Sequence, residues 1–286
     1  MSAAQDSNGR LALEFALDTG TSRTVLRINE QRQPLKVVRA FDLDAGAALV
    51  HIHNLSGGVL AGDRLSLDLT VGPRASAQLT STGATRVYRS RPSAPPAEFS
   101  TRVRVCQDGL LEYLPDPLIP FGGCRYAQHT DVELEDGAGL FWWETIAPGR
   151  EARGEVFSYD ALELSFRLQA CGLPVATERS DLDPSVRPLS SPARLGPYRY
   201  FSSFYICRAG TGGNTWRGLE MSLREIAQQL SSPVIIWGLS TLPAHGIVVR
   251  ALSLNGREIA SGLVAFWRVA KQLLYGRDAV IPRKIY

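Results

Sequence analysis

Up to about residue 210, apolar side chains recur at every second position in short runs. Leu11, Leu13, Phe15 and Leu17 form the first run, and this period of two predicts a strand with one buried face. The alternation returns at Leu65, Leu67, Leu69 and Val71, then at Val103 and Val105. Its clearest instance is Leu162, Leu164, Phe166 and Leu168, with Glu163 and Arg167 on the opposite face. Turn-forming pairs separate the runs: Gly57-Gly58, Gly72-Pro73, Asp108-Gly109, Gly122-Gly123 and Asp136-Gly137. Many strands at short spacing predict a mainly β protein, and periodicity leaves sandwich, barrel and β-helical forms open.

The period changes near the C-terminus. Leu219, Leu223, Ile226, Ala227 and Leu230 fall on one helical stripe, with Arg224 and Gln228 off it. Ile259, Leu263, Phe266, Trp267, Ala270, Leu273 and Leu274 repeat that spacing, and Gly276 is placed to end the helix. Between the two helices, residues 234–239 and 247–254 read as further strands. Residues 89–97, with Pro92, Pro95 and Pro96, and 178–197, with Pro184, Pro188, Pro192 and Pro197, read as long loops. No internal repeat is evident, and 1–286 reads as one β domain with 178–197 as its long loop.

Composition narrows the functional classes. With 286 residues, 44% of them hydrophobic, the chain can bury a large core without disulfides or a structural metal. Thirty-one basic and 28 acidic residues leave a net charge of +3, and the basic residues are scattered along the chain, so nucleic acid is not an expected partner. Cys106, Cys124, Cys171 and Cys207 stand far apart, the first ten residues are polar, and no apolar run is long enough to span a membrane. These features predict a soluble, reduced, cytoplasmic protein.

Familiar catalytic signatures are missing: there is no GxSxG, HExxH, GxxxxGKS/T or GxGxxG. His51 and His53 lie two apart, so on a strand both project from one face and are weak candidates for gripping a metal ion. An oxygenase-type site would also need a nearby carboxylate, and the next acid is Asp63. The plainer reading is a pair of imidazoles facing solvent or a partner. His129 and His245 stand alone.

Asp63, Glu112 and Glu144 are each embedded in apolar or glycine-rich sequence. Burying an acid is costly unless it is paired, so each asks for a reason. Three are open: a glycosidase-like pair formed by Glu112 and Glu144, a polar path for a cation, or strand-end carboxylates satisfied by backbone amides or arginine.

Several segments, taken in order, resemble a known family. Residues 56–65, Ser-Gly-Gly-Val-Leu-Ala-Gly-Asp-Arg-Leu, resemble the glycine-rich signature of the urease accessory protein D family, called H in some organisms. Residues 83–90, with Tyr88-Arg89-Ser90, resemble its next block. Leu111-Glu112-Tyr113-Leu114-Pro115 is similar to a family strand, and Phe121-Gly122-Gly123-Cys124 to the turn after it. Trp143-Glu144, Gly149-Arg150 and residues 154–157 follow, then Ala244-His245-Gly246 and the closing Pro282-Arg283-Lys284-Ile285-Tyr286. The likeness runs from about residue 51 to the C-terminus. Ala61 stands where the family commonly has glycine, Tyr113 where tryptophan is usual, and Lys284 is inserted in the last motif.

The resemblance implies a many-stranded β-helical or sandwich-like fold with about two C-terminal helices. It also implies a non-enzymatic scaffold that binds apo-urease and assists nickel insertion with two further accessory proteins, one a nickel-carrying GTPase. Nickel would be transient cargo, with no stably bound cofactor. On that reading Asp63, Gly58, Gly62, Tyr88, Arg89, Ser90, Glu112 and Glu144 are candidates for a partner face or a nickel path. Gly57-Gly58 and Gly62 permit a sharp bend presenting Asp63 inward, or simply a tight hairpin. Tyr88-Arg89-Ser90 is suited to a protein partner, or to closing a strand before the proline-rich loop. The alternative function is a carboxylate-based hydrolase on a β scaffold, using Glu112 and Glu144.

Overall fold

The computed structural model describes residues 8–282. Of the closing segment Pro282–Tyr286, all but Pro282 lies outside the described residues. Two sheets stack face to face. From edge to edge the first runs Leu173–Leu182, Ala161–Ala170, Arg125–Leu134, Ala97–Val105, Arg64–Val71, Arg10–Asp18 and Arg23–Arg32. Its inner strands are parallel and its two edge strands antiparallel.

The second sheet runs Ile235–Thr241, Gly246–Ser253, Tyr200–Arg208, Gly139–Ile146, Leu110–Tyr113, Ser76–Ser81, Ala48–Asn54 and Leu35–Lys36. The strands from 48 to 146 are parallel; those from 200 to 253 add antiparallel hairpin pairing. From Ala48–Asn54 to Ala161–Ala170 the chain alternates between the two sheets, with the short strands Thr85–Val87 and Leu118–Pro120 extending two of its passages through the second. That is the coil of a flattened β-helix, so the β-helical and sandwich-like expectations describe one object. The mainly β class with two C-terminal helices is what forms.

One turn of backbone repeats at each coil. Residues 72–75, 106–109 and 135–138 carry the chain from first sheet to second. In each the fourth residue's N–H donates to the first residue's carbonyl, at 3.1, 2.9 and 3.1 Å. The third residue, Arg74, Asp108 or Gly137, has φ of 58°, 55° or 69°, the left-handed position of a type II turn. The corners also bond to one another: Arg74 N donates to Gln107 O and Asp108 N to Asp136 O, each at 3.0 Å. The repeat is therefore geometric, although the three corner sequences share no pattern.

Two helices cover the outer face of the second sheet, α1 (Gly213–Leu230) and α2 (Gly256–Tyr275). The Asn255 side chain caps α2 by accepting from Glu258 N, and Gly276 ends it with φ 61°. One core fills the space between the sheets, built on Leu11, Phe15, Leu67, Leu79, Trp142 and Phe166. A second lies between sheet and helices, on Phe141, Phe204, Leu223, Phe266 and Trp267. Among the described residues no helix is long and apolar enough to cross a membrane.

The expected loop at 178–197 needs correction. Residues 178–182 finish the edge strand Leu173–Leu182, and the irregular segment begins at Asp183. The strand was hidden because its inward face carries Glu178 and Ser180, which break the apolar alternation. The segment after it is tied down by Leu189, only 3% exposed, and by Asp183, whose carboxylate accepts from Ser185 N at 2.9 Å.

Candidate functional site

Four of the resembling segments, at 56–62, 83–90, 121–124 and 149–157, gather on the edge of the β-helix opposite the tight corners, whereas Ala244-His245-Gly246 lies beside the corners, where His245 Nδ1 accepts from Gly210 N at 3.3 Å. Val59 bridges to Val87, and residues 85–87 pair with 118–120, so the glycine-rich loop and the next two blocks stack as a short ladder. Gly57 (φ 74°) and Gly62 (φ 87°) take conformations that disfavour side chains. Gly58 is needed for closeness: a Cβ there would sit 2.6 Å from Arg86 O and inside the Tyr88 ring. Tyr88 meets Phe121 edge to face at 5.1 Å, Arg89 Nε donates to Gly122 O at 3.1 Å, and Ser90 Oγ accepts from Arg125 N at 3.0 Å. Arg150 lies over the Phe121 ring at 4.2 Å. Its guanidinium pairs with Glu155, which also accepts from Gly122 N at 3.0 Å. Those two donors hold the Glu155 carboxyl down at about 2.

Asp63 is 2% exposed. Its Oδ2 accepts from Leu60 N at 2.8 Å and its carbonyl from Glu98 N at 2.8 Å. The carboxylate braces the glycine turn from within.

Glu112 and Glu144 do not converge. Glu112 faces the helices, where Trp267 Nε1 donates to it at 2.7 Å and Lys271 Nζ at 2.9 Å. Glu144 faces the interior between the sheets and accepts from Gln128 Nε2 at 2.8 Å. The strand alternation decides this: Glu112 pairs in register with Phe141, and Glu144 lies three residues further along that strand, so the two side chains leave opposite faces. A hydrolase built on this pair is therefore corrected, since its two carboxylates would have to flank one bond.

Glu144 lines a cavity of about 40 Å³ with Thr85, Tyr113, Asp116, Gln128 and Thr145. Burial lifts its carboxyl to about 7, and the nearby Glu178 charge adds to the rise. Thr85, Phe99, Tyr113 and Pro115 also line a larger cavity of about 260 Å³, which reaches Gly57, Gly58, Gly83 and Arg86 on the loop edge. On the opposite face of the strand, Ser202 Oγ donates to the backbone carbonyl of Glu144 at 2.6 Å and lies 3.0 Å from Thr145 Oγ1. Ser203, in register with Glu144 and so on the same face of the sheet, lies 3.4 Å from the Glu178 carboxylate and lines a cleft of about 610 Å³ with Glu178 and Arg250. There Glu178 accepts from the Tyr205 hydroxyl. Polar groups thus follow one another between the sheets from the glycine loop to Glu178.

His51 and His53 project from one strand face as expected. His51 stands edge to face with Phe41 at 5.8 Å. His53 pairs in register with Lys36, and burial, with His51 and Lys36 adding, lowers its pKa. Among the described residues no three His, Cys, Asp or Glu side chains cluster as a metal cage requires. Sequence reasoning passed over Gln128, Asp116, Glu178, Tyr205 and Ser202. Glu178 carried a signal, an acid at an inward strand position, masked by the loop assignment.

This arrangement defines a two-sheet β-helical protein with an apolar core, a run of polar groups beside it and one loop-built edge. The chain belongs to the UreD urease accessory protein family, whose sequence model matches residues 7–285. It is 44% identical to the urease accessory protein UreD of Herpetosiphon aurantiacus over 280 residues, 98% of this chain and 96% of that protein. It is 31% identical to UreD of Pseudomonas fluorescens, covering 96% of this chain and 94% of that one. With UreD of Cenarchaeum symbiosum it shares 31% identity over 84% of each.

Proposed function

We propose that this protein is a cytoplasmic, non-catalytic scaffold of urease maturation that docks on apo-urease and passes nickel toward its metallocentre. It acts with two further accessory proteins, one a nickel-carrying GTPase, and nickel is cargo. Family membership supports the role in urease maturation. The conduit rests on one observation: Glu144, with a carboxyl near pH 7, lines the narrowest cavity on the polar run between the glycine loop and Glu178.

A carboxylate beside an amide, with no third ligand fixed around it, offers a divalent ion a foothold weak enough to leave. Glu112 is already committed to Lys271, so it serves the fold. Asp63, Gly58 and Gly62 shape the loop at one end of the polar run, and Tyr88, Arg89 and Ser90 belong to the face presented to a partner.

The test is deletion of the gene in its host, with nickel content and activity measured on purified urease. Urease protein is expected to accumulate at normal levels without metal, and the wild-type gene to restore it. Glu144→Ala should restore little activity while still co-purifying with urease. Fully metallated urease in the deletion strain would end the proposal, and full restoration by Glu144→Ala would end the conduit part alone.

A further inference from the structure

Four arginines of this chain are brought to one edge of the fold without an acidic residue in their own segments. Residues 82–97 and 117–130 contain Arg86, Arg89, Arg91 and Arg125 and not a single Asp or Glu. The ladder that joins 85–87 to 118–120, and the bond from Ser90 N to Gly123 O at 2.9 Å, bring both segments to the loop edge. Arg86, Arg89 and Arg91 are exposed there.

Backbone carbonyls fix two of these side chains. Gly122 O accepts from Arg89 Nε, and Ala94 O from the Arg125 guanidinium. Each guanidinium carries further N–H donors beyond that bond. Glu155, the carboxylate on which the Arg89 charge acts, is already paired with Arg150. Apolar side chains stand out beside the arginines: Leu55 is 52% and Leu60 41% exposed, on either side of Gly57-Gly58. Apolar anchors, a tyrosine and preordered guanidinium groups are the composition of a protein interface, and the unanswered charge specifies its chemistry.

We propose that this edge is a docking surface for a carboxylate-rich face of a protein partner, with Arg86, Arg89, Arg91 and Arg125 meeting its acids and Leu55 and Leu60 seated at the centre. The inference rests on the maturation reading, because the partner is taken to be a component of the urease assembly.

The test co-expresses the tagged full-length chain with the urease subunits and accessory proteins of its own operon, and quantifies each captured component. Arg86→Glu/Arg91→Glu should lower capture of one component at least about tenfold, as expected for reversing charge at a complementary interface. Arg86→Lys/Arg91→Lys should retain most of it, and Arg217→Glu, on α1, should leave it unchanged. Wild-type capture should fall as salt is raised.

Equal capture by the glutamate variant would overturn this inference and leave the maturation reading standing. Capture that nuclease treatment abolishes would assign the edge to nucleic acid and overturn it as well. If the wild type captures no urease component, the maturation reading fails and this inference with it.

Discussion

Lys271 on α2 reaches 159 residues back along the chain to place its ammonium 2.9 Å from the carboxylate of Glu112. The side chains are 9% and 1% exposed, and Trp267 fills the second lobe of the carboxylate at 2.7 Å. Burial works against the Glu112 charge, and Lys271 opposes that pressure. The contact fixes where the helix sits on the sheet.

Removing one partner therefore strands a buried charge. Lys271→Met is expected to destabilise the protein by about 3–5 kcal/mol in chemical denaturation. Glu112→Leu combined with Lys271→Met should recover most of that loss, since apolar groups of similar volume replace a desolvated pair. A single variant as stable as the wild type would contradict this account.

Glu144 predicts a pH dependence of opposite sign to an ordinary ion pair. Its folded pKa, about 7, lies above the ordinary glutamate value of 4.5. Between those values the unfolded chain loses a proton that the folded chain keeps, so stability contributed by this site falls as pH rises, by roughly 3 kcal/mol at most. Glu144→Gln removes the term. The melting temperature of the variant relative to wild type should climb from pH 4.5 to 7.5 and level off beyond. A constant difference across that range would refute the assignment.

The glycine loop predicts a steric effect. Gly58→Ala pushes a methyl group toward Arg86 O and the Tyr88 ring, and overpacking of this kind costs about 1–3 kcal/mol. Trimming Tyr88 to Ala in the same background should relieve only part of the loss, because the Arg86 carbonyl remains. Thermal denaturation of the two variants reads this directly.

At the tight corners, the same backbone position predicts opposite outcomes. Gly137→Ala forces a side chain into left-handed conformation and against the Asp108 carboxylate, for a loss of about 1–2 kcal/mol. Arg74→Gly relaxes a residue already at φ 58° and should change stability by less than about 1 kcal/mol in either direction. Matching losses at both sites would argue against the repeated turn.

Legibility from sequence followed the physics of each element. The strands at 64–71 and 161–170 were readable because a single buried face writes a period of two. Both helices were readable because a stripe against a sheet writes a helical period, and Gly276 marks an end that only a left-handed residue supplies. The strand at 173–182 was not, since its inner face is polar. The corners showed as turns at Gly72-Pro73, Asp108-Gly109 and Asp136-Gly137, but the coil they repeat did not, because Gly72-Pro73-Arg74-Ala75 and Glu135-Asp136-Gly137-Ala138 reach one turn geometry with different residues. The scattered arginines looked featureless until strand pairing stacked their loops.

By itself the sequence determined the fold class, the places of several strands and of both helices, the family, and the fact that Asp63, Glu112 and Glu144 needed explaining. These are local properties, written by neighbours a few residues apart. Tertiary structure alone decided what each acid does: Asp63 braces a turn, Glu112 locks a helix, and Glu144 faces the polar interior. Their local contexts are alike, and the outcome depends on which face of which sheet each strand presents. That is set by pairing between segments tens of residues apart, which no local pattern records.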